Sequence, residues 1–156
     1  MEISNVRLAK ILRNVAAAYT LKKTGNVFQI RAYENAADSI DSSTAEIQDL
    51  WQEGKLGEVP NLGEKLQAYL DELLQTGKVK HFEDVLKGIQ PVVFDLLDIP
   101  GIGPKTALTL VKMGVGGKDD LSIQLENGKL VEKGFSEKLS KKISDVLKWK
   151  KFDIFE

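Results

Sequence analysis

Two short turns, each followed by a lysine, carry the residue types that could hold a phosphate group. The later turn is Pro100-Gly101-Ile102-Gly103, and Pro104 follows it. Proline suits the first position of a helix, because the N–H group that it lacks has no helical partner there. The next free N–H groups would point outward at the positive end of the helix dipole, which favours a phosphate. We therefore predict phosphate contacts from Gly101, Gly103, Lys105 and Thr106.

An earlier turn repeats this pattern 40 residues before. Val59-Pro60-Asn61-Leu62-Gly63 aligns with Ile99-Pro100-Gly101-Ile102-Gly103, and asparagine replaces the first glycine. Asparagine is among the few residues that readily take a left-handed backbone conformation in place of glycine. A duplication within one short chain indicates a repeated structural unit. By this alignment we predict further phosphate contacts from Gly63 and Lys65.

The segments around both turns are predicted to be helices. Apolar residues recur at helical spacing in four stretches, residues 4–21, 28–40, 66–74 and 106–113. No alternating strand pattern exceeds about four residues. We expect Ser4 or Asn5 to cap the first helix and Thr44 to cap the third. The predicted fold class is all-α.

The chain is predicted to form two small helical domains, each built around one of the two hairpins. The first covers residues 1–88 with its hairpin at 56–78, and the second covers residues 89–156 with its hairpin at 96–113. Residues 130–147 look like a third, degraded hairpin, in which serine stands at the last glycine position.

The end of the sequence is basic and aromatic. The last helix is rich in lysines. These lysines form either a binding surface or an ordinary solvated face. An apolar tail follows and either packs back on the domain or marks the point where a longer protein was divided; its residues are Trp149, Phe152, Ile154 and Phe155.

Composition narrows the possible functions. The sequence has no cysteine, so disulfides and thiolate metal sites are excluded, and it has no apolar run long enough to cross a membrane. We expect a cytoplasmic monomer. The net charge is −1, with 11 Lys and Arg against 15 Asp and Glu in residues 1–100, and 11 against 8 in residues 101–156. A phosphate-binding surface must therefore be local and supported by the backbone.

No catalytic residue is assigned from the sequence. A catalytic site with two metal ions needs clustered carboxylates, and the sequence contains no Asp-x-Asp pair. The adjacent Asp119 and Asp120 are expected to begin a helix. His81, the single histidine, is expected to lie at a solvated helix position.

Residues 99–107 resemble the helix-hairpin-helix DNA-binding motif. Its apolar, Gly-apolar-Gly and Ala positions fall on Ile99, Gly101, Ile102, Gly103 and Ala107. The chain from Ser4 to about Leu147 resembles the N-terminal part of family X DNA polymerases, the polymerase beta family, and its bacterial and archaeal members most of all. The segment from Phe28 to Ala37 and the two hairpins carry that resemblance.

The resemblance implies sequence-nonspecific binding of DNA as the DNA-binding portion of a repair protein. In that family the first domain binds the 5′ side of a DNA gap and the second grips the strand on the 3′ side. Gapped, nicked or 5′-phosphorylated DNA is therefore the expected partner. The resemblance also matches Lys65 to a phosphate-binding lysine and Tyr33 to an aromatic residue that lines the same pocket.

The resemblance further implies a sodium or potassium ion at each hairpin, bound by backbone carbonyls. The matching residues are Gly57, Val59 and Leu62 in the first hairpin and Leu97, Ile99 and Ile102 in the second. No other cofactor is expected.

Two alternatives to plain DNA binding stay open. Some family members remove a 5′ deoxyribose phosphate through a lysine Schiff base, but the nucleophile position falls on Tyr69 here. A weak lyase would need Lys65, Lys78 or Lys80 instead, and Phe28 and Gln29 stand where active members carry histidine and lysine. The second alternative is a protein-protein interaction module, favoured by the loss of glycine at Asn61 and Ser136.

Overall fold

The chain is described from a computed structural model, which places the backbone of residues 2–153 and the side chains of residues 2–148. Within residues 2–153 there are ten α-helices, one 3-10 turn and no strand, which confirms the all-α fold class. The chain divides into two compact units, one ending at Gly88 and the other beginning at Ile89. Each unit is described by itself.

The first unit is built from five helices and the 3-10 turn Leu56–Glu58. The helices are α1 (Asn5–Lys22), α2 (Val27–Ser42), α3 (Ile47–Gln52), α4 (Glu64–Thr76) and α5 (Lys80–Leu86). Helices α1 and α2 make the largest helix-helix interface of the unit. Their facing alanines, among them Ala9, Ala36 and Ala37, are fully buried, so the two backbones approach closely.

Leucine and isoleucine side chains from all parts of the first unit fill one core. Leu8, Leu12, Ile40, Ile47 and Leu70 are fully buried in it. The apolar residues of the first hairpin belong to the same core, so packing on α1 and α2 fixes the position of the hairpin.

Two helix caps were predicted from the sequence, and the structure confirms the first and contradicts the second. Ser4 caps α1, because its Oγ accepts a hydrogen bond from Arg7 N at 3.2 Å. Thr44 does not cap α3, which begins at Ile47 after Glu46. Asn5, a residue of α1, caps α3 instead. Its Oδ1 accepts a hydrogen bond from Ile47 N at 2.8 Å, and its Nδ2 donates to the carbonyl of Ala45 at 3.0 Å.

The second unit contains five helices. They are α6 (Pro91–Leu96), α7 (Pro104–Lys112), α8 (Lys118–Glu126), α9 (Lys129–Glu132) and α10 (Glu137–Asp153). Helices α6 and α7 pack together across the second hairpin, and α8 packs on α9 and α10. Its fully buried side chains include Leu96, Leu110, Leu121 and Leu130.

The prediction about the aromatic tail lies outside the described side chains, which end at Lys148. Among the helices of residues 2–153, none combines the length and the apolar character that a membrane span requires.

Candidate nucleic-acid interface

The second hairpin is a tight turn that connects α6 to α7. Ile102 N donates to the carbonyl of Ile99 at 3.1 Å, and Gly101 between them has a φ of 90°. That backbone conformation is left-handed and strained for most side chains, so glycine is needed here. Ile99 and Ile102 point into the core, at 1% and 5% exposure. The backbone at the tip therefore faces solvent while the side chains hold the turn in place.

The first hairpin has the same geometry at the matching positions. Asn61 takes the left-handed conformation with a φ of 63°, and Val59 and Leu62 are each 5% exposed. The Asn61 side chain adds a contact that glycine could not make, because its Nδ2 donates to Ser39 Oγ at 2.9 Å. The asparagine therefore keeps the turn and also ties it to α2.

The last glycine of each hairpin has backbone angles that do not require glycine. Gly63 and Gly103 precede α4 and α7 with φ values of −69° and −91°, which any residue can adopt. A Cβ added at either position would meet no described atom within 4 Å. The fold does not require these glycines, and they leave open space in front of the helix starts.

The N–H groups at these two helix starts are available to a ligand. The first helical hydrogen bonds run from Gln67 N to Gly63 O and from Ala107 N to Gly103 O, both at 2.9 Å. The N–H groups before them have no partner within the helix. Among the described residues no side chain caps either helix. Lys105 and Thr106 in α7, with Gly103, therefore present the donors that the sequence predicts.

The side-chain charge at the two helix starts differs. Lys65 and Lys105 are both exposed. Glu64, however, is the first residue of α4, where its carboxylate faces the same positive helix end that a phosphate would use. Pro104 stands at the equivalent position in α7. We therefore expect the second hairpin to be the better binding site for an anion.

The third hairpin has the turn but not the open helix start. Gly134 has a φ of 100° and Phe135 behind it is 8% exposed, as in the other two hairpins. The difference is Ser136, whose Oγ accepts from Leu139 N at 3.2 Å. An internal side chain thus occupies one of the donors that the other hairpins leave free.

The carbonyls expected to hold a monovalent cation have different surroundings in the two hairpins. In the first, Gln67 Nε2 donates to the carbonyl of Leu62 at 2.7 Å. The residue at the matching position of the second hairpin is Ala107, a buried methyl group that cannot donate. The side chain at this position thus offers a donor to the Leu62 carbonyl in the first hairpin and none to the Ile102 carbonyl in the second.

Tyr33 lies away from the hairpin surface, in an aromatic cluster. It is 3% exposed, and its ring packs against Tyr19 and Phe82 with centroids 5.7 and 6.0 Å away. Burial raises the pKa of Tyr33 well above the ordinary value. This burial argues against Tyr33 as a direct phosphate contact.

The expectation for His81 is wrong. Rather than standing in solvent, its ring stacks on Tyr69 at 5.0 Å and an interplanar angle of 5°. A hydrogen bond of 2.6 Å joins His81 Nε2 to the Tyr19 hydroxyl. Tyr69, at the position of the lyase nucleophile in the resemblance, is therefore part of this stack.

Asp119 and Asp120 lie in the first turn of α8, close to the helix start that we expected there. The Oδ2 atom of Asp120 accepts hydrogen bonds from Gly116 N at 2.7 Å and from Gln124 Nε2 at 2.9 Å. Across residues 2–148 no three His, Cys, Asp or Glu side chains come together as a metal site would need.

The sequence did not indicate Phe28 as a candidate contact to nucleic acid. Phe28 at the start of α2 is 82% exposed, beside Val27 at 66%. The helical pattern alone treats such a phenylalanine as core. Its position two residues after the Asn26 cap, on the first turn of α2, could have indicated exposure.

A comparison with protein-family models agrees with this geometry. Residues 3–79 match the model of the helix-hairpin-helix domain. The match covers just under half of the chain and includes the first hairpin. Residues 3–79 are thus similar to a helix-hairpin-helix domain.

Proposed function

We propose that the chain binds the sugar-phosphate backbone of DNA and does not read base sequence. The observation that carries this proposal is the repeated geometry at Gly63 and Gly103. In both places a glycine that the fold does not require stands before an uncapped helix start. An exposed lysine follows two residues later. The match of residues 3–79 to a helix-hairpin-helix domain supports the same conclusion.

Contacts of this kind determine affinity and not sequence preference. Backbone N–H groups and lysines bind phosphate oxygens, which are the same for every base. The two hairpins together offer about 4–6 phosphate contacts, so we expect micromolar affinity that falls steeply with salt. Sodium or potassium at the second hairpin would add a positive charge near the phosphate, and this ion remains part of the proposal.

We further propose that gapped, nicked or 5′-phosphorylated DNA is preferred over intact duplex. The family X resemblance is one support. The exposed ring of Phe28 is another, because an aromatic face can stack on a base that a gap leaves unpaired. In this proposal the chain is the DNA-binding portion of a polymerase-like repair protein, acting as a cytoplasmic monomer.

The glycine at the second hairpin gives the most direct test. The Gly103→Ala substitution leaves the fold intact, because its backbone angles suit alanine and its Cβ meets open space. The added methyl group would hold a phosphate away from the helix start. We expect about tenfold weaker binding, or about 1.4 kcal/mol, by fluorescence anisotropy with a gapped duplex.

The matched control is Gly116→Ala, a change in an exposed loop outside the hairpins, where the Cβ would be 3.7 Å from Asp120 Oδ2. It should leave affinity unchanged. Equal affinity of Gly103→Ala and the unmodified chain would refute the role of the second hairpin. Equal affinity of the unmodified chain for gapped and intact duplex would refute the preference for gaps alone.

A further inference from the structure

We infer that the side-chain amide of Gln67 takes the place of a monovalent cation in the first hairpin, which is therefore held together without an ion. Gln67 Nε2 donates to the carbonyl of Leu62 at 2.7 Å. The same amide lies beside Gly57, where an added Cβ would be 3.7 Å from Oε1 and 3.9 Å from Nε2. The amide thus lies against two of the three residues whose carbonyls would bind the ion.

An amide donor and a cation compete for the same oxygen. The hydrogen of an N–H group carries partial positive charge and satisfies the carbonyl at ordinary hydrogen-bond length. A sodium or potassium ion that approaches the Leu62 oxygen beside this amide would be repelled by that hydrogen. Gln67 is half-buried, so moving its amide aside would break a hydrogen bond that is sheltered from water.

The second hairpin shows what the first would be without this amide. The positions of the two hairpins differ by 40 residues, so Ala107 corresponds to Gln67. Ala107 is fully buried and has no polar atom in its side chain. In the helix-hairpin-helix pattern this position is alanine, and the glutamine is the departure. The two hairpins therefore differ in whether the side chain at this position donates to the last of the three carbonyls.

The consequence concerns the ions in solution. The first hairpin should keep its shape whichever monovalent cation is present. Its phosphate contacts then come from backbone N–H groups and Lys65 alone, with no bound positive charge behind them.

The test uses the full chain and needs no DNA, so its failure is distinguishable from a failure of the proposed DNA binding. Backbone amide resonances of Gly57, Leu62 and Gly63 are followed by NMR while Na⁺, K⁺ or Tl⁺ replaces choline at constant ionic strength. We expect no saturable shift at these residues in the unmodified chain. Gln67→Ala should show a saturable shift at these residues over the same range of cation concentrations.

Gln75→Ala is the matched control. Gln75 is an exposed glutamine on the same helix, and its amide binds the Asp71 carboxylate at 3.0 Å. This variant should respond to the ions as the unmodified chain does. Gln67→Glu gives a second measurement of nearly the same side-chain size. Its carboxylate accepts where the amide donates, so a cation would bridge it to the Leu62 carbonyl.

Two results would overturn the inference. The first is a saturable cation-dependent shift at the first hairpin of the unmodified chain. The second is the absence of such a shift in both Gln67→Glu and Gln67→Ala, which would show that the amide does not exclude an ion. If Gln67→Ala does not fold, the result for Gln67→Glu decides.

Discussion

Glu64 and Pro104 occupy the same position, the first residue of the helix that follows each hairpin, yet they offer a phosphate opposite conditions. The Glu64 carboxylate is itself an anion at the positive end of α4. It stabilises the helix and repels a second anion at the same place. The Lys65 side chain next to it is exposed and offsets only part of that repulsion. We therefore expect the first hairpin to be the weaker of the two phosphate-binding sites.

Removing the charge of Glu64 should strengthen DNA binding. Charges at a helix end contribute about 0.3–1 kcal/mol, so Glu64→Gln should raise affinity about two- to fivefold by anisotropy at low salt. Glu137→Gln is the control, because Glu137 begins α10 where Ser136 already caps the helix. An equal gain in both variants would show that net charge alone is responsible.

The buried tyrosines make the first unit sensitive to alkaline pH. Burial raises the pKa of Tyr33 and of Tyr19 in the folded protein. The unfolded chain has a tyrosine pKa of about 10. Above that pH the unfolded state loses a proton that the folded state keeps. The free energy of unfolding is therefore unaffected by these tyrosines below pH about 10 and falls as the pH rises above it.

Replacing Tyr33 with phenylalanine should reduce this alkaline loss. Between pH 8 and pH 10.5 the free energy of unfolding should fall by about 0.5–1 kcal/mol less in Tyr33→Phe than in the unmodified chain. Urea unfolding of the first unit, followed by NMR at both pH values, measures the difference. Identical pH dependence in the two proteins would contradict the prediction.

Among the helices, α3 is the one most dependent on a distant part of the chain. It has six residues and no side-chain cap of its own. Helices this short are unstable in isolation. Asn5 of α1 bonds to both Ala45 and Ile47 at its start, while Ile47 and the 3-10 turn after α3 pack into the core. The segment that leads into the first hairpin is thus fixed by α1.

Asn5→Ala should destabilise the first unit by about 1–2 kcal/mol, because it removes the side-chain acceptor of the partly buried Ile47 N–H and one of the two hydrogen bonds to the Ala45 carbonyl. Thr44→Ala, at the residue that the sequence suggested as the cap, should change stability by less than about 0.5 kcal/mol. Urea unfolding of both variants gives the comparison. A larger effect for Thr44 than for Asn5 would contradict the assignment of the cap.

For the molecule as a whole, the net charge is −1 and is divided unevenly along the sequence. Residues 1–100 carry a net charge of −4 and residues 101–156 a net charge of +3. Long-range attraction is therefore weak, and the affinity depends on the contacts at the hairpins. Lys65 lies in the first compact unit and Lys105 in the second.

Each of these lysines should contribute about one unit to the salt dependence of binding. In Lys105→Gln, and separately in Lys65→Gln, the slope of log affinity against log salt should become shallower by about one. Lys112→Gln at the opposite end of α7 should leave the slope unchanged. Anisotropy at four salt concentrations measures these slopes. An unchanged slope in both hairpin variants would remove the lysines from the interface.

The sequence by itself determined the helices, the two turns and their repeat. Local rules were sufficient there: glycine or asparagine at the left-handed position, proline at the start of α7, and apolar residues at helical spacing. Within residues 2–153 the helical fold class followed from these rules.

Tertiary structure alone decided the features that depend on contacts between distant residues. Asn5 caps a helix that begins 42 residues later, and His81 bonds to Tyr19 across 62 residues. The open space at Gly103 and the amide of Gln67 beside Gly57 are likewise properties of packing. No local pattern encodes such contacts, because the chain must fold before either partner is within reach of the other.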